Sequence, residues 1–209
     1  MSAAVRRDRR YTWEEYLAIE AAAGDGERYE YWDGEVRPVH GYHPDGVTAM
    51  AGAEPEHNQL KGNLTRELGL QLTPRGCHVF SSDQRVAVYA SHRFVYPDVV
   101  VACRPEYDES RPRRLLNPDL VVEVLSPSTG DSDAGAKLAT YTALPSVQEV
   151  WIADPGRPLV IQYLRPDGGG DWRMRATTSL DAGLRSDALG LDLSMGDLYA
   201  LVLDEPGAE

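Results

Sequence analysis

Hydrophobic positions along this chain follow two periods, and the switches between them outline the fold. Leu60, Leu64, Leu68 and Leu72 recur every four residues. Residues so spaced share one helix face, which predicts a helix over Glu54 to Thr73, stopped by Pro74 and Gly76. Thr12 stands three residues ahead of Glu15, the arrangement of a capping box, and Trp13, Tyr16 and Leu17 supply an apolar stripe. A short helix is therefore expected over 12–22, ended by Gly24 and Gly26. A third helix is expected over Asp131 to Ala143, with Ser132 or Asp133 as its N-cap. A last short one is expected near Ser194 to Leu201.

Between the helices the pattern shortens to strands. Tyr29 to Trp32 and Glu35 to Val39 flank Asp33-Gly34, a pair that accepts the positive φ of a tight hairpin turn. Apolar runs predict further strands at Cys77 to Phe80, Arg85 to Tyr89, Phe94 to Cys103, Leu120 to Leu125 and Val147 to Ala153. Val160 to Leu164 and Trp172 to Ala176 form a hairpin around Asp167 to Asp171. Its three glycines, Gly168 to Gly170, make a hairpin tip, because neither the helix nor the Lys-Ser/Thr of a phosphate-binding loop follows them. His40 to Gly52 reads as a loop, and Arg104 to Asn117 as a long polar connection. This order of elements predicts an α/β (α+β) domain around a mixed sheet. It spans residues 11–203, after a basic, flexible tail at residues 1–10.

Composition narrows the setting. No run reaches the roughly 18 to 20 apolar residues of a membrane span, and Met1 to Arg10 has no apolar core of a secretory signal, so a cytoplasmic protein is expected. Cys77 and Cys103 lack the count and spacing of a disulfide framework or zinc site, and both are read as reduced core residues. The net charge of −12 opposes tight non-specific binding to nucleic acid, which depends on Lys and Arg neutralising phosphates. It leaves room for a carboxylate-based metal site.

Two segments carry candidate chemistry. Asp98 precedes Val99-Val100-Val101, and Glu123 follows Leu120-Val121-Val122. Apolar runs without alternation suit strands buried on both faces, where an unpaired carboxylate is costly. Two such carboxylates on neighbouring strands could converge on a hard divalent cation, with the Val124 carbonyl as a further oxygen. Asp119 also follows a proline. It lies on the same strand as Glu123 but roughly 13 Å away by strand rise, too far to share one ion.

Pro97-Asp98 followed by Glu123-Val124-Leu125 resembles the bipartite PD-(D/E)XK motif of restriction-endonuclease-like nucleases. Tyr29-Glu30, Asp33-Gly34-Glu35, Pro55-Glu56-His57, Glu123 to Thr129, Lys137, Tyr141, Val150-Trp151 and Asp154-Pro155 resemble one branch of that superfamily, the Uma2 family of small bacterial proteins. The likeness runs from about Tyr11 to Leu203. It implies a restriction-endonuclease-like mixed β-sheet core flanked by helices, with added N-terminal and C-terminal hairpins. It also implies a metal-dependent phosphodiester hydrolase: a DNA endonuclease using Mg2+ or Mn2+, and a homodimer.

The third motif position, usually lysine, is Leu125, which cannot orient water. In this branch the lysine comes from the next helix, as Lys137, four residues before Tyr141 and on the same face. By the same resemblance Asp98, Glu123 and Val124 would hold the metal. Glu30 would complete the shell or position water, and His57 would donate to it. Two other readings stay open: a non-catalytic binding or regulatory module, motivated by the charge and by Leu125, and a nuclease acting on RNA. His40, His43 and Asp45 are read as a flexible insertion. Arg104, Arg111, Arg113 and Arg114 could contact phosphates or simply be solvated.

Overall fold

The computed structural model describes residues 5–6, 9–24, 27–42, 48–49, 54–109, 113–126, 131–168 and 170–203. His43, Asp45, Arg111, Ser128, Thr129 and Gly169 fall outside these, as do the side chains of His40, Ser132 and Asp133.

The chain opens with helix α1, Trp13–Ala22. Both arms of the capping box form, with the Thr12 hydroxyl accepting from Glu15 N and the Glu15 carboxylate accepting from Thr12 N. In the segment read as a flexible tail, Val5 is buried beside Tyr11, Tyr16 and Phe94, so the described part of it packs on the domain. Strands β1, Arg28–Trp32, and β2, Glu35–Tyr42, meet at the Asp33-Gly34 turn, where both residues take positive φ. β2 continues beyond Val39 to pair with β3, Thr48–Ala49, so the expected His40 to Gly52 loop is partly strand. Backbone pairing, which apolar periodicity does not register, extends it.

Helix α2, Pro55–Leu72, lays Leu60, Leu64, Leu68 and Leu72 into the core, all fully buried, and leaves Leu70 exposed. Strands β4, His78–Ser81, β5, Val86–Val88, β6, Arg93–Val95, and β7, Val99–Ala102, follow. The single strand expected over Phe94 to Cys103 is thus two, and they enter different sheets. The break falls at Tyr96-Pro97-Asp98, where proline has no N–H for a ladder. After β8, Leu120–Val124, comes α3, Asp131–Thr142. Because α3 starts at Asp131, Ser132 and Asp133 lie inside it rather than at its cap. The rest is β9, Glu149–Asp154, β10, Leu159–Leu164, β11, Arg173–Thr177, β12, Gly183–Ser186, β13, Leu191–Ser194, and α4, Met195–Leu198. The β12–β13 hairpin was not foreseen in the apolar pattern.

Six strands form the main sheet, in the order β11-β10-β9-β8-β7-β4, and a second sheet runs β3-β2-β1-β6-β5. The main sheet is mixed: β8 and β9 are parallel, its other pairs antiparallel. A parallel pair needs a crossover, and α3 is that crossover. The buried α2 leucines pack on one face of the sheet with Val99, Val101, Leu120 and Val122. Tyr141 of α3 and strands β5 and β6 pack on the other, with Val100 and Val121. The central strands are therefore buried on both faces, as their unbroken valine runs predict.

The reading of the cysteines is also overturned. Cys77 and Cys103 are joined in a disulfide. They flank the β4–β7 ladder, one step beyond the His78–Ala102 pair, so antiparallel register sets them opposite each other.

Candidate active site

The site forms where β7 stops short. Val99 pairs with Val122, and the same register taken one residue further sets Asp98 opposite Glu123. Leu125 N donates to Ala153 O on β9, so alternate residues of β8 turn their backbone groups toward β9, and Val122 and Val124 turn theirs toward β7. Asp98 and Glu123 then occupy a position without backbone hydrogen bonds between them, the kind where opposed side chains come closest, at about 4.5 Å between Cα atoms.

The position opposite Val124 is Pro97, which has no N–H to offer the Val124 carbonyl. The Val124 N–H goes instead to the Asp98 side chain, at 2.9 Å from Oδ2. Asp98's own carbonyl accepts from Ser82 N at 2.9 Å. A proline in one strand thus leaves a notch holding two carboxylates and one backbone carbonyl.

Three other elements reach the notch. From α3, Lys137 Nζ lies 3.0 Å from Glu123 Oε2, and the Tyr141 hydroxyl donates to Glu123 Oε1. From the start of α2, His57 Nε2 lies 3.5 Å from Asp98 Oδ2. From β1, the buried Glu30 accepts from Tyr96 N at 3.0 Å and Trp32 Nε1 at 2.9 Å. Glu30 also acts electrostatically on Glu123, Lys137 and Tyr141. The structure therefore gathers Asp98, Glu123, Val124, Lys137, Glu30 and His57 in one region. It adds Tyr141, whose signal in the sequence was its four-residue spacing from Lys137.

Burial governs the electrostatics. It pushes the Glu123 carboxyl up to about 7 against the pull of Lys137, with Asp98 adding to the rise. Burial also pulls Lys137 downward, but Glu123, Glu30 and Asp98 outweigh it and raise the ammonium above its ordinary value. For Asp98 the burial penalty is overcome by His57 and the Val124 N–H, and its carboxyl falls below its ordinary value. Burial lifts the Tyr141 phenol well above its ordinary value, so it is a hydrogen-bond donor and not a base.

Among the described residues no three His, Cys, Asp or Glu side chains form a ready metal cage. Two carboxylates and a backbone carbonyl fit a different ion, since Mg2+ commonly takes one or two carboxylates and keeps water or phosphate on its other positions. The side-chain contacts of Asp98 with His57 and Val124 N both use Oδ2. A cation there would share Glu123 with Lys137.

Asp119, Arg113 and Arg114 make contacts within the fold. Asp119 Oδ2 accepts from Cys103 N at 2.7 Å, at the far end of β8. Arg114 is buried against Asp108, and Arg113 lies over the Tyr107 ring. Arg104 is exposed.

The mixed sheet and its flanking helices form an α+β fold that is shared with a solved structure. A crystal structure from Anabaena variabilis, described as a putative nuclease, superposes with a TM-score of 0.65 at 19% identity, covering 91% of this chain and 98% of the other. The chain belongs to the Uma2 family, described as "Putative restriction endonuclease", which it matches over residues 13–196. Two uncharacterized proteins of Synechocystis are also similar. One, sll1609, is 35% identical over 67% of this chain and 72% of its own length. The other, slr1290, is 28% identical over 83% of this chain and 90% of its own. No helix among the described residues is long and apolar enough to cross a membrane.

Proposed function

We propose that this protein is a metal-dependent phosphodiesterase, an endonuclease acting on DNA. One observation carries the reading: Asp98 and Glu123 face each other across the β7–β8 register with Lys137 against Glu123. Asp98, Glu123 and the Val124 carbonyl would hold Mg2+ or Mn2+. The chemistry supplied by such an ion is polarisation of a phosphoryl oxygen and a lowered pKa for a bound water.

The chain's own groups do the rest. Lys137 orients the attacking water and offsets negative charge as it builds on phosphorus. Tyr141 fixes the Glu123 carboxylate from the buried side. His57 and the Val124 N–H hold Asp98 ionised and in place. Leu125 has no part in proton transfer, and Lys137 does from α3 what the third motif position does elsewhere in the superfamily. A homodimer belongs to the same reading and is testable by sedimentation.

The test is cleavage of supercoiled DNA, single-stranded DNA and RNA with Mg2+ or Mn2+, alongside Asp98→Ala and Glu123→Ala. The expected result is cutting of DNA by wild type and none by either variant. Equal cutting by the variants would remove the site. Cutting of RNA alone would change the substrate. Mn2+ binding by wild type, without any cutting, would favour the non-catalytic module.

A further inference from the structure

Beside the notch lies a cleft of about 430 Å3 between the start of α2, the end of β8 and the β9–β10 turn. Its size falls in the range of small-ligand sites. His57, whose other face meets Asp98, is one wall. Leu125 and Ser126, which directly follow Glu123-Val124, are another. Pro155 and Gly156 close the third side.

The polar groups of this cleft are of two opposed kinds. α2 begins with no side-chain cap, and Pro55 has no N–H. The first-turn N–H groups of Glu56 and His57 have no partner within the helix. His57 is nine-tenths buried, and its Nδ1, an acceptor when Nε2 donates to Asp98, has no hydrogen-bond partner. Against the backbone donors stand the exposed carboxylates Glu54 and Glu56. Asp154, the remaining acid, is already engaged by Gly156 N and Arg157 Nε. Among the described residues no Lys or Arg lines the cleft.

This combination selects against simple ions. A lone anion would face Glu54 and Glu56 with no cationic side chain to offset them. A lone cation would face the positive end of an 18-residue helix and the apolar Leu125 and Pro155. A neutral, flat ligand with donors and acceptors side by side suits all of it. Its faces would rest on Leu125 and Pro155, and its edge would meet both the N–H groups and a carboxylate.

We infer that the cleft is a nucleobase pocket, taking one unpaired base that carries an exocyclic amino group, next to the phosphodiester at Asp98 and Glu123. The carboxylates of Glu54 and Glu56 accept from the amino group, as acidic side chains do from cytosine N4. The α2 N–H groups donate to the neighbouring ring or carbonyl acceptor. A base can enter only from a single strand or after flipping from a duplex. The inference rests on the nucleic-acid reading above and names the feature of the substrate that the site would read.

Its test needs no turnover. The full chain, in chelator and with labelled leucine methyls and histidine rings, is titrated with deoxycytidine, deoxyadenosine, deoxyguanosine, thymidine and inorganic phosphate. At least one amino-bearing nucleoside should shift Leu125 and His57 and bind about ten-fold or more tighter than thymidine, the discrimination expected of one good paired contact. Glu54→Ala with Glu56→Ala, both at exposed positions, should bring that nucleoside to the thymidine level without altering the fold. Equal shifts from all four nucleosides, no shift up to the solubility limit, shifts mapping elsewhere, or equal binding of phosphate would each overturn the pocket. Cutting without base discrimination leaves the nuclease and removes the pocket. Discrimination without cutting does the reverse.

Discussion

Glu123 sits between two donors with different tasks. Lys137 brings a charge and Tyr141 a neutral hydroxyl, so removing each has a different cost. Tyr141→Phe removes one hydrogen bond to a charged acceptor and should destabilise the metal-free protein by about 2 kcal/mol. Lys137→Met leaves a buried carboxylate without its counter-charge and should cost about 3 to 5 kcal/mol. Urea unfolding of both variants in chelator checks the order, and equal losses would mean that the lysine is not the neutralising group. The pairing of Asp98 with Glu123 was legible because each stands in a valine run with nothing local to satisfy it. The engagement of both Glu123 oxygens by α3 was only half legible. Helical spacing puts Lys137 and Tyr141 on one face, but only the β8–α3–β9 crossover says which face meets the sheet.

The elements show why some strands were misread. Tyr96-Pro97-Asp98 sits inside an apolar run, and hydropathy does not register that its proline withholds an N–H. That missing donor ends β7 and sends Arg93–Val95 into the other sheet. The long helix was legible to within a residue or two, since Leu60, Leu64, Leu68 and Leu72 have one periodicity and one partner surface. Cys77 and Cys103 were not, because nothing in a separation of 26 residues reveals a shared register. The link staples the edge strand β4 to β7. Closing a loop of that length is worth about 3 kcal/mol. Unfolding midpoints with and without a dithiol reductant should differ accordingly, and Cys77→Ser with Cys103→Ser should match the reduced protein. Identical midpoints would mean that β4 is held by its ladder and packing alone.

At the scale of the whole molecule, charge separates this protein from basic DNA binders. Its net charge is −12, and of the basic residues between the two motif strands, Arg114 is spent on Asp108. An excess of carboxylates opposes the neutralisation of many phosphates by side chains. The dependence of binding on monovalent salt should therefore be shallow, with a log–log slope no steeper than about −3. Anisotropy titrations across salt concentrations read that slope directly, and a steep one would mean that the exposed arginines together neutralise a run of phosphates despite the net charge. The acidity was legible at once; the arrangement of its carboxylates was not, since Glu30 comes from a different sheet and its carboxylate meets Tyr96 N across 66 residues of chain. Such a site cannot be assembled piecemeal. A nascent chain that has folded only its first sheet holds Glu30 alone, and one that has made β7 still lacks Glu123, Lys137 and Tyr141. On the nuclease reading, the fold is its own safety catch: a half-made copy has no means of cutting the DNA of the cell that is making it.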